Sequence, residues 1–477
     1  MICPSFQRLL GRLWTPNRIV TIAVIPVSTL ILCAAGFYNR YPLLYPDSIE
    51  YIEVGKSIWK YYISGIPGWF GQRSPFYSLF VYLTHQDSSL WFVILGQGII
   101  LSYVLWLTFK KICPKLGIPH FLFLIISITL LTSVSWYTSF LMPDIFAAIL
   151  ILGIFNLSFD NITVTTFQHG IIVSIVIMAI TFHTSHFMLT PALIICAIIV
   201  HLIIRSPLRL WMTVTFRLLA TFVVATSLML TATYSLYGKL GLIGPHPPFL
   251  LARVITDGPG KLYLKEHCNQ HNYAICKYLA ILPKTSDEFL WNEKSVMKQA
   301  TKEDGQQIRK EELSVVLNTV LKYPWKQLEA SAKNFVKQSL KVLPNFSRNP
   351  WIDDNIVDAF PVTGNKYFQS RQYLKVLPPT SLKILQFISV IVSPFFCIFI
   401  RLKLRRRIPD KLFALIALTL IGLLGNNLIA GVLAVPVGRF SSRIIWLVPM
   451  LSILFVYVWA DDIQKDDKGG QVKTTVA

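Results

Sequence analysis

Asp47, Glu50, Arg73, Asp144, His183, His186, Arg439 and Arg443 stand out because they are ionisable and lie where greasy segments begin or end. A charge at such a boundary must be paired, solvated or useful, and it is a functional candidate by default. A carboxylate at Asp47 could take the proton of an attacking hydroxyl. A second carboxylate at Asp144, facing the first, could orient an acceptor or ligate a divalent cation such as Mg or Mn. Guanidinium groups at Arg73, Arg439 and Arg443 could grip a phosphate through parallel hydrogen bonds. Plainer readings stand beside these. Asp47-Ser-Ile-Glu50 has the spacing of a capping box, the role favoured for Glu50. A capping bond would lower the basicity of Asp47, so its two roles conflict. Asp144, after Pro143, could be a helix N-cap, and Arg73 a snorkelling interfacial arginine. His183 and His186 could hold a metal, contact an acceptor, or form only a polar helix end.

The elements that must position these groups are mostly membrane segments. The chain has 477 residues, 53% hydrophobic and 14% charged, with a mean hydropathy of +0.54. Soluble domains carry nearer a quarter charged residues. Apolar runs lie at about 19–37, 90–109, 119–136, 145–159, 169–182, 187–204, 218–237, 382–400, 412–430 and 444–459, some ten spans read by length and composition. The first run is too long for a signal peptide's apolar region and has no small-x-small cleavage site near its end. It is read as an uncleaved helix. The fold class expected is an all-α polytopic membrane protein of about ten transmembrane helices, with interfacial helices in the first outer loop and a mostly helical extracytoplasmic domain.

Basic residues collect in cytoplasmic loops. Arg8, Arg12 and Arg18 precede the first run; Lys110, Lys111 and Lys115 follow the second; Arg205 and Arg209 follow the sixth; Arg401, Lys403, Arg405, Arg406 and Arg407 follow the eighth. These clusters fall on one side. The polar region 238–380, with Cys268 and Cys276, falls on the other, where a disulfide between the two can form. The division expected is 1–237, an N-terminal membrane domain with the catalytic outer loops; 238–380, an extracytoplasmic domain; 381–460, C-terminal membrane helices; and 461–477, a cytoplasmic tail. The net charge of +21 is topological and suited to phosphate-bearing lipids. No basic module with interleaved aromatics points to nucleic acid, and no nucleotide-binding glycine loop is present.

On this topology Asp47, Asp144, Arg439 and Arg443 share the outer face. Tyr45-Pro-Asp47-Ser-x-x-Tyr51, then Arg73-x-Pro75, Met142-Pro-Asp144 opening the fourth span, and Gly438-Arg-Phe440 before the last together resemble the GT-C superfamily of integral-membrane glycosyltransferases. Protein O-mannosyltransferases and bacterial aminoarabinose and arabinosyl transferases belong to it. The likeness covers about 19–205 and the Arg439 region. It implies transfer of a sugar from a polyprenyl-phosphate carrier to a cell-envelope glycan, lipid or protein acceptor, on the periplasmic face of a bacterial inner membrane with both termini cytoplasmic. Asp47 would be the base, Asp144 would support acceptor or metal, and Arg73 and Arg439 would hold the lipid phosphate. Many members carry adjacent acidic residues at the first site; here Ser48 follows Asp47, leaving Asp47 alone. The rival readings are a transporter or flippase of a lipid-linked or anionic substrate, and a scaffold acting through its large outer loop. A transporter needs charged or helix-breaking positions near mid-membrane and commonly an internal repeat, and neither is evident.

Overall fold

The computed structural model of the protein describes residues 16–159, 165–404 and 408–473. Its principal helices are α1 (Pro16–Leu32), α2 (Pro46–Ser64), α3 (Pro75–His85), α4 (Trp91–Ile112), α5 (Ile118–Leu131), α6 (Ile145–Ser158), α7 (Thr166–Phe182), α8 (Thr184–Ile203), α9 (Leu208–Tyr237), α10 (Lys302–Lys322), α11 (Pro324–Leu340), α12 (Pro379–Leu404), α13 (Asp410–Leu433), α14 (Gly438–Ile445) and α15 (Leu447–Lys473). Among the described residues there is no strand beyond an isolated parallel bridge, Leu43 to Phe140. Among the described residues six helical runs are long and apolar enough to cross a membrane: α4, α8, α9, most of α12, α13, and Gly438–Ala460 across α14 and α15. Four shorter apolar helices, Ala23–Leu32 within α1 together with α5, α6 and α7, fall on the other four segments expected. The protein is an all-helical polytopic membrane protein. Arg8, Arg12 and Arg405 to Arg407, used above for orientation, lie outside the described residues.

α6 organises the bundle. Every residue from Ile145 to Ser158 is buried, as expected of a helix that is apolar all round. It packs against α4, α7, α8, α9, α13 and α14. Close approach is made by small residues: a Cβ on Gly422 of α13 would stand 2.3 Å from Ile151 Cδ1, and one on Gly153 of α6 would stand 2.6 Å from Val176 Cγ2. Small contacts of this kind let membrane helices approach backbone to backbone. The residue that opens α6, Asp144, is therefore carried into the middle of one end of the bundle.

The polar region is two things. Residues between Leu251 and Val315 form their own apolar core, including Tyr263, Ile275, Phe289 and Ile308, and Cys268 and Cys276 are joined there. Phe346, Ile352, Ile356, Phe360 and Tyr367 instead pack into the core shared with the membrane helices. Two short helical turns, Ser286–Leu290 and Val296–Gln299, belong to the first part. α10 ends before Pro324 and α11 begins at it, because proline suits a helix's first turn and not its interior.

Candidate functional site

α2 begins at Pro46, its fixed φ suited to a first helical position. Ser48, not Glu50, completes the helix start. Its hydroxyl accepts the Tyr45 N–H at 2.9 Å and donates to the Leu141 carbonyl at 2.8 Å. The capping box expected from Asp47 and Glu50 does not form, because Asp47 is inside the first turn and not ahead of it. Glu50 faces the loop before α3 instead. Its Oε1 accepts the backbone N–H of Gln72 and of Arg73, the latter at 3.2 Å. Arg73 closes the unit, its Nε 3.2 Å from Glu50 Oε2 and its Nη2 2.7 Å from Asp47 Oδ1. The snorkelling reading of Arg73 thus gives way to a double ion pair. Burial alone would lower the Arg73 pKa, but the charges of Asp47, Tyr51 and Glu50 outweigh it and raise the pKa. The contact of α2 with α3 depends on Gly55, where a Cβ would stand 2.1 Å from the Ser78 carbonyl oxygen.

The bridge between residues 43 and 140 joins the loop before α2 to the loop before α6, with Leu43 N–H donating to the Ser139 carbonyl and Leu141 N–H donating back to that of Leu43, each at 2.9 Å. Gln97, fully buried in α4, secures the second loop by donating to the carbonyls of Thr138 and Phe140 while accepting from Tyr77. Asp144 then sits at the N-cap position of α6, but its side chain makes no capping bond. Its Oδ1 lies 3.7 Å from Arg439 Nε and 3.5 Å from Arg443 Nη1. Asp144 and Arg443 are almost wholly buried, with side chains 2% and 1% exposed.

Arg443 is held by residues the sequence reading passed over. Asn426 of α13 accepts from its Nη2 at 2.7 Å and its Nε at 3.2 Å, and Ser185 accepts from Nη2 at 3.0 Å. Arg439 lies over the Tyr45 ring, 4.2 Å to its centroid, a stacked cation–π contact. Gln338 of α11 clamps the segment carrying both arginines: it donates to Val437 O and Ser441 Oγ and accepts from Val437 N–H. The missed signal was in the sequence. Asn426 and Asn427 are adjacent amides in an otherwise apolar span, and such groups need partners. Gln338, in a polar helix, carried no such mark.

The two clusters share one electrostatic neighbourhood. Tyr45 and Tyr51 both feel the charges of Asp47, Asp144 and Arg439, and burial before those charges raises both phenols. The shallow side is part-exposed Tyr45, Asp47 and Arg73, and the deep side is Asp144 and Arg443. On the deep side Arg439 Nε and Nη1, Arg443 Nη1, Asp144 Oδ1 and His186 Nε2 are buried without a hydrogen-bond partner.

His183 and His186 are neighbours, 5.2 Å between ring centroids, each with Nδ1 engaged. His183 Nδ1 accepts the Ser185 N–H at 3.1 Å, and His186 Nδ1 lies 2.9 Å from the Ala179 carbonyl. Burial first, then the nearby His186 and the arginines, pushes the His183 pKa well below its ordinary value. Among the described residues no three His, Cys, Asp or Glu gather as a metal site, and Asp47 and Asp144 each face arginine. The residues present do not fit a preformed divalent-cation site.

No family model matches the chain, and no curated protein matches it. Among solved structures, ArnT from Cupriavidus metallidurans in the apo state aligns over 93% of this chain and 78% of its own, at 13% identity and a TM-score of 0.33.

Proposed function

We propose that the protein is a glycosyltransferase that moves a sugar from a polyprenyl-phosphate carrier to a lipid, glycan or protein acceptor at the extracytoplasmic face of a bacterial inner membrane. The observation that carries this reading is the pairing of two unlike ion clusters at one end of the bundle. One has two carboxylates to one arginine, and the other has one carboxylate to two arginines. The first suits proton removal and the second suits a phosphate. Arg439 Nη1, buried without a hydrogen-bond partner, is a donor of the kind that stabilises a departing phosphate oxygen.

The chemistry is a single displacement. The acceptor hydroxyl loses its proton to Asp47 as its oxygen bonds to the anomeric carbon. The bond from that carbon to the carrier phosphate breaks, and its electron pair leaves with the phosphate oxygen. Arg73 couples the halves. While Arg73 holds Asp47 at 2.7 Å, that carboxylate oxygen is occupied by the guanidinium and is not open to an acceptor hydroxyl. A donor phosphate drawing Arg73 away frees Asp47. Arg439 is the phosphate ligand nearest the rim. Arg443, spent on Asn426 and Ser185, positions Asp144 and Arg439. Glu50 is structural, fixing the Arg73 loop.

The test is sugar transfer in membranes supplied with lipid-linked sugar. Asp47→Asn should reduce turnover roughly 100-fold or more, the scale of a lost general base, with donor binding retained. Unimpaired transfer by that variant would reject the mechanism. Substrate movement across vesicles with no new glycosidic bond would reassign the protein as a transporter.

A further inference from the structure

A cleft of about 230 Å³ opens where the outer region meets the membrane helices, apart from the ion clusters. Its walls are apolar at Trp136, Phe346, Leu377 and Leu382 and basic at Arg348 and Lys375, with no acidic residue lining it. The two basic groups differ. Arg348 is spoken for, bonded to Asp353 at 2.7 Å and stacked on Tyr373 with its Cζ 4.1 Å from the ring centroid. Lys375 is exposed and its ammonium has no partner among the described residues. Its backbone is held at φ +59°, a left-handed conformation that a side-chain-bearing residue adopts at a cost. The turn is fixed from below by Gln372, buried and bonded through Nε2 to Leu44 O and Phe346 O and through Oε1 to Leu44 N.

The location restricts the occupant. Leu382 is in the first turns of α12, a span with only 22% of its apolar window buried. Ile384, Phe387, Ile388 and Ile391 on that helix are half exposed, so the surface running down from the cleft is one for acyl chains. The cleft also adjoins the N-terminal end of α12, where helix polarity favours negative charge. A ligand that fits has an anionic head and hydrocarbon below it.

We propose that this cleft binds the phosphate headgroup of an anionic glycerophospholipid of the outer leaflet, with Lys375 as its charge partner and its chains along α12. The site does not depend on the transferase reading, and its failure would leave that reading standing. Its floor is joined through Gln372 to Leu44, three residues before Asp47, so lipid occupancy steadies the loop that presents Asp47.

The experiment places the full chain in nanodiscs of phosphatidylcholine with roughly one lipid in ten phosphatidylglycerol, an anionic fraction that gives basic surface groups a partner. Native mass spectrometry counts the lipids retained after ejection. Wild type should retain phosphatidylglycerol in preference to phosphatidylcholine. Lys375→Glu should reduce that retention about tenfold, a loss of about 1.4 kcal/mol in affinity. Leu377→Trp, which fills the cleft without changing charge, should do the same, and it decides the matter if the glutamate variant fails to fold. Lys322→Glu, on the outer region away from the cleft, should retain as wild type does. Equal retention of both lipids by wild type, or undiminished phosphatidylglycerol on folded Leu377→Trp, overturns the proposal. So does thermal protection by inorganic phosphate with none from phosphatidylglycerol, which would assign a soluble anion.

Discussion

At the scale of the residue, Asp144 and Asp47 are carboxylates in opposite situations. Asp47 is shallow and meets one guanidinium at hydrogen-bond distance, whereas Asp144 is buried and meets two at the longer separations of 3.5 and 3.7 Å. Charges taken from water are stable only when paired, and removing one partner of a buried pair costs about 3–5 kcal/mol. Asp144→Asn leaves Arg439 and Arg443 facing each other without a carboxylate. It should lower the thermal unfolding temperature of the purified protein clearly, whereas Asp47→Asn, on the part-exposed side, should barely move it. Equal shifts for both would contradict the division into a shallow reacting side and a deep positioning side. Sequence singled out these residues by type and position but not how they pair. Glu50 is three residues from Asp47 and read as its cap; the structure gives that job to Ser48, whose hydroxyl is short enough to bond its own turn and also reach Leu141. A pairing across 22 residues, such as Glu50 with the Gln72 amide, leaves no local periodicity to read.

At the scale of the element, the arginines depend on how α14 is seated. Gly438 begins that helix, and a Cβ there would stand 2.0 Å from the Leu343 carbonyl oxygen, far inside contact with backbone that cannot swing away. Gln338 fixes the same turn through the Val437 amide and carbonyl and the Ser441 hydroxyl. Gly438→Ala should therefore displace Arg439 from Tyr45 and Asp144. Expected are weakened binding of lipid-linked donor, measured as a several-fold rise in apparent KM, and a modest loss of stability, since a forced overpacking typically costs about 1–3 kcal/mol. Unchanged KM with wild-type stability would show that this turn does not set the arginine. The apolar runs announced the spanning helices well, because length and composition alone define such segments. The seating of α14 on the turn after α11, by contrast, is a long-range approach that no local pattern encodes.

At the scale of the whole molecule, α3 and the segment around Phe360 meet at His85, the last residue of α3. Its ring packs edge-on against Phe360, 5.1 Å between centroids. Its Nδ1 accepts the Asp87 N–H at 2.9 Å, and its Nε2 is buried without a partner. Burial, with a further push from Lys56 against the pull of Asp87, lowers its pKa to about 4. The neutral ring is the one the fold accepts. An unfolded histidine titrates near 6.5, so between about pH 6.5 and 4 the unfolded chain binds a proton that the folded chain refuses. Stability must then fall as pH falls through that window. His183, also held low by burial, adds to the slope in the same direction. The thermal unfolding temperature should drop between pH 7.5 and pH 5. In His85→Asn, whose amide oxygen can still accept from Asp87, the drop should be smaller and the stability at pH 5 relatively higher. If the variant shows the same slope as the parent, then His85 is not held neutral, and the contact between α3 and Phe360 is not a source of acid sensitivity.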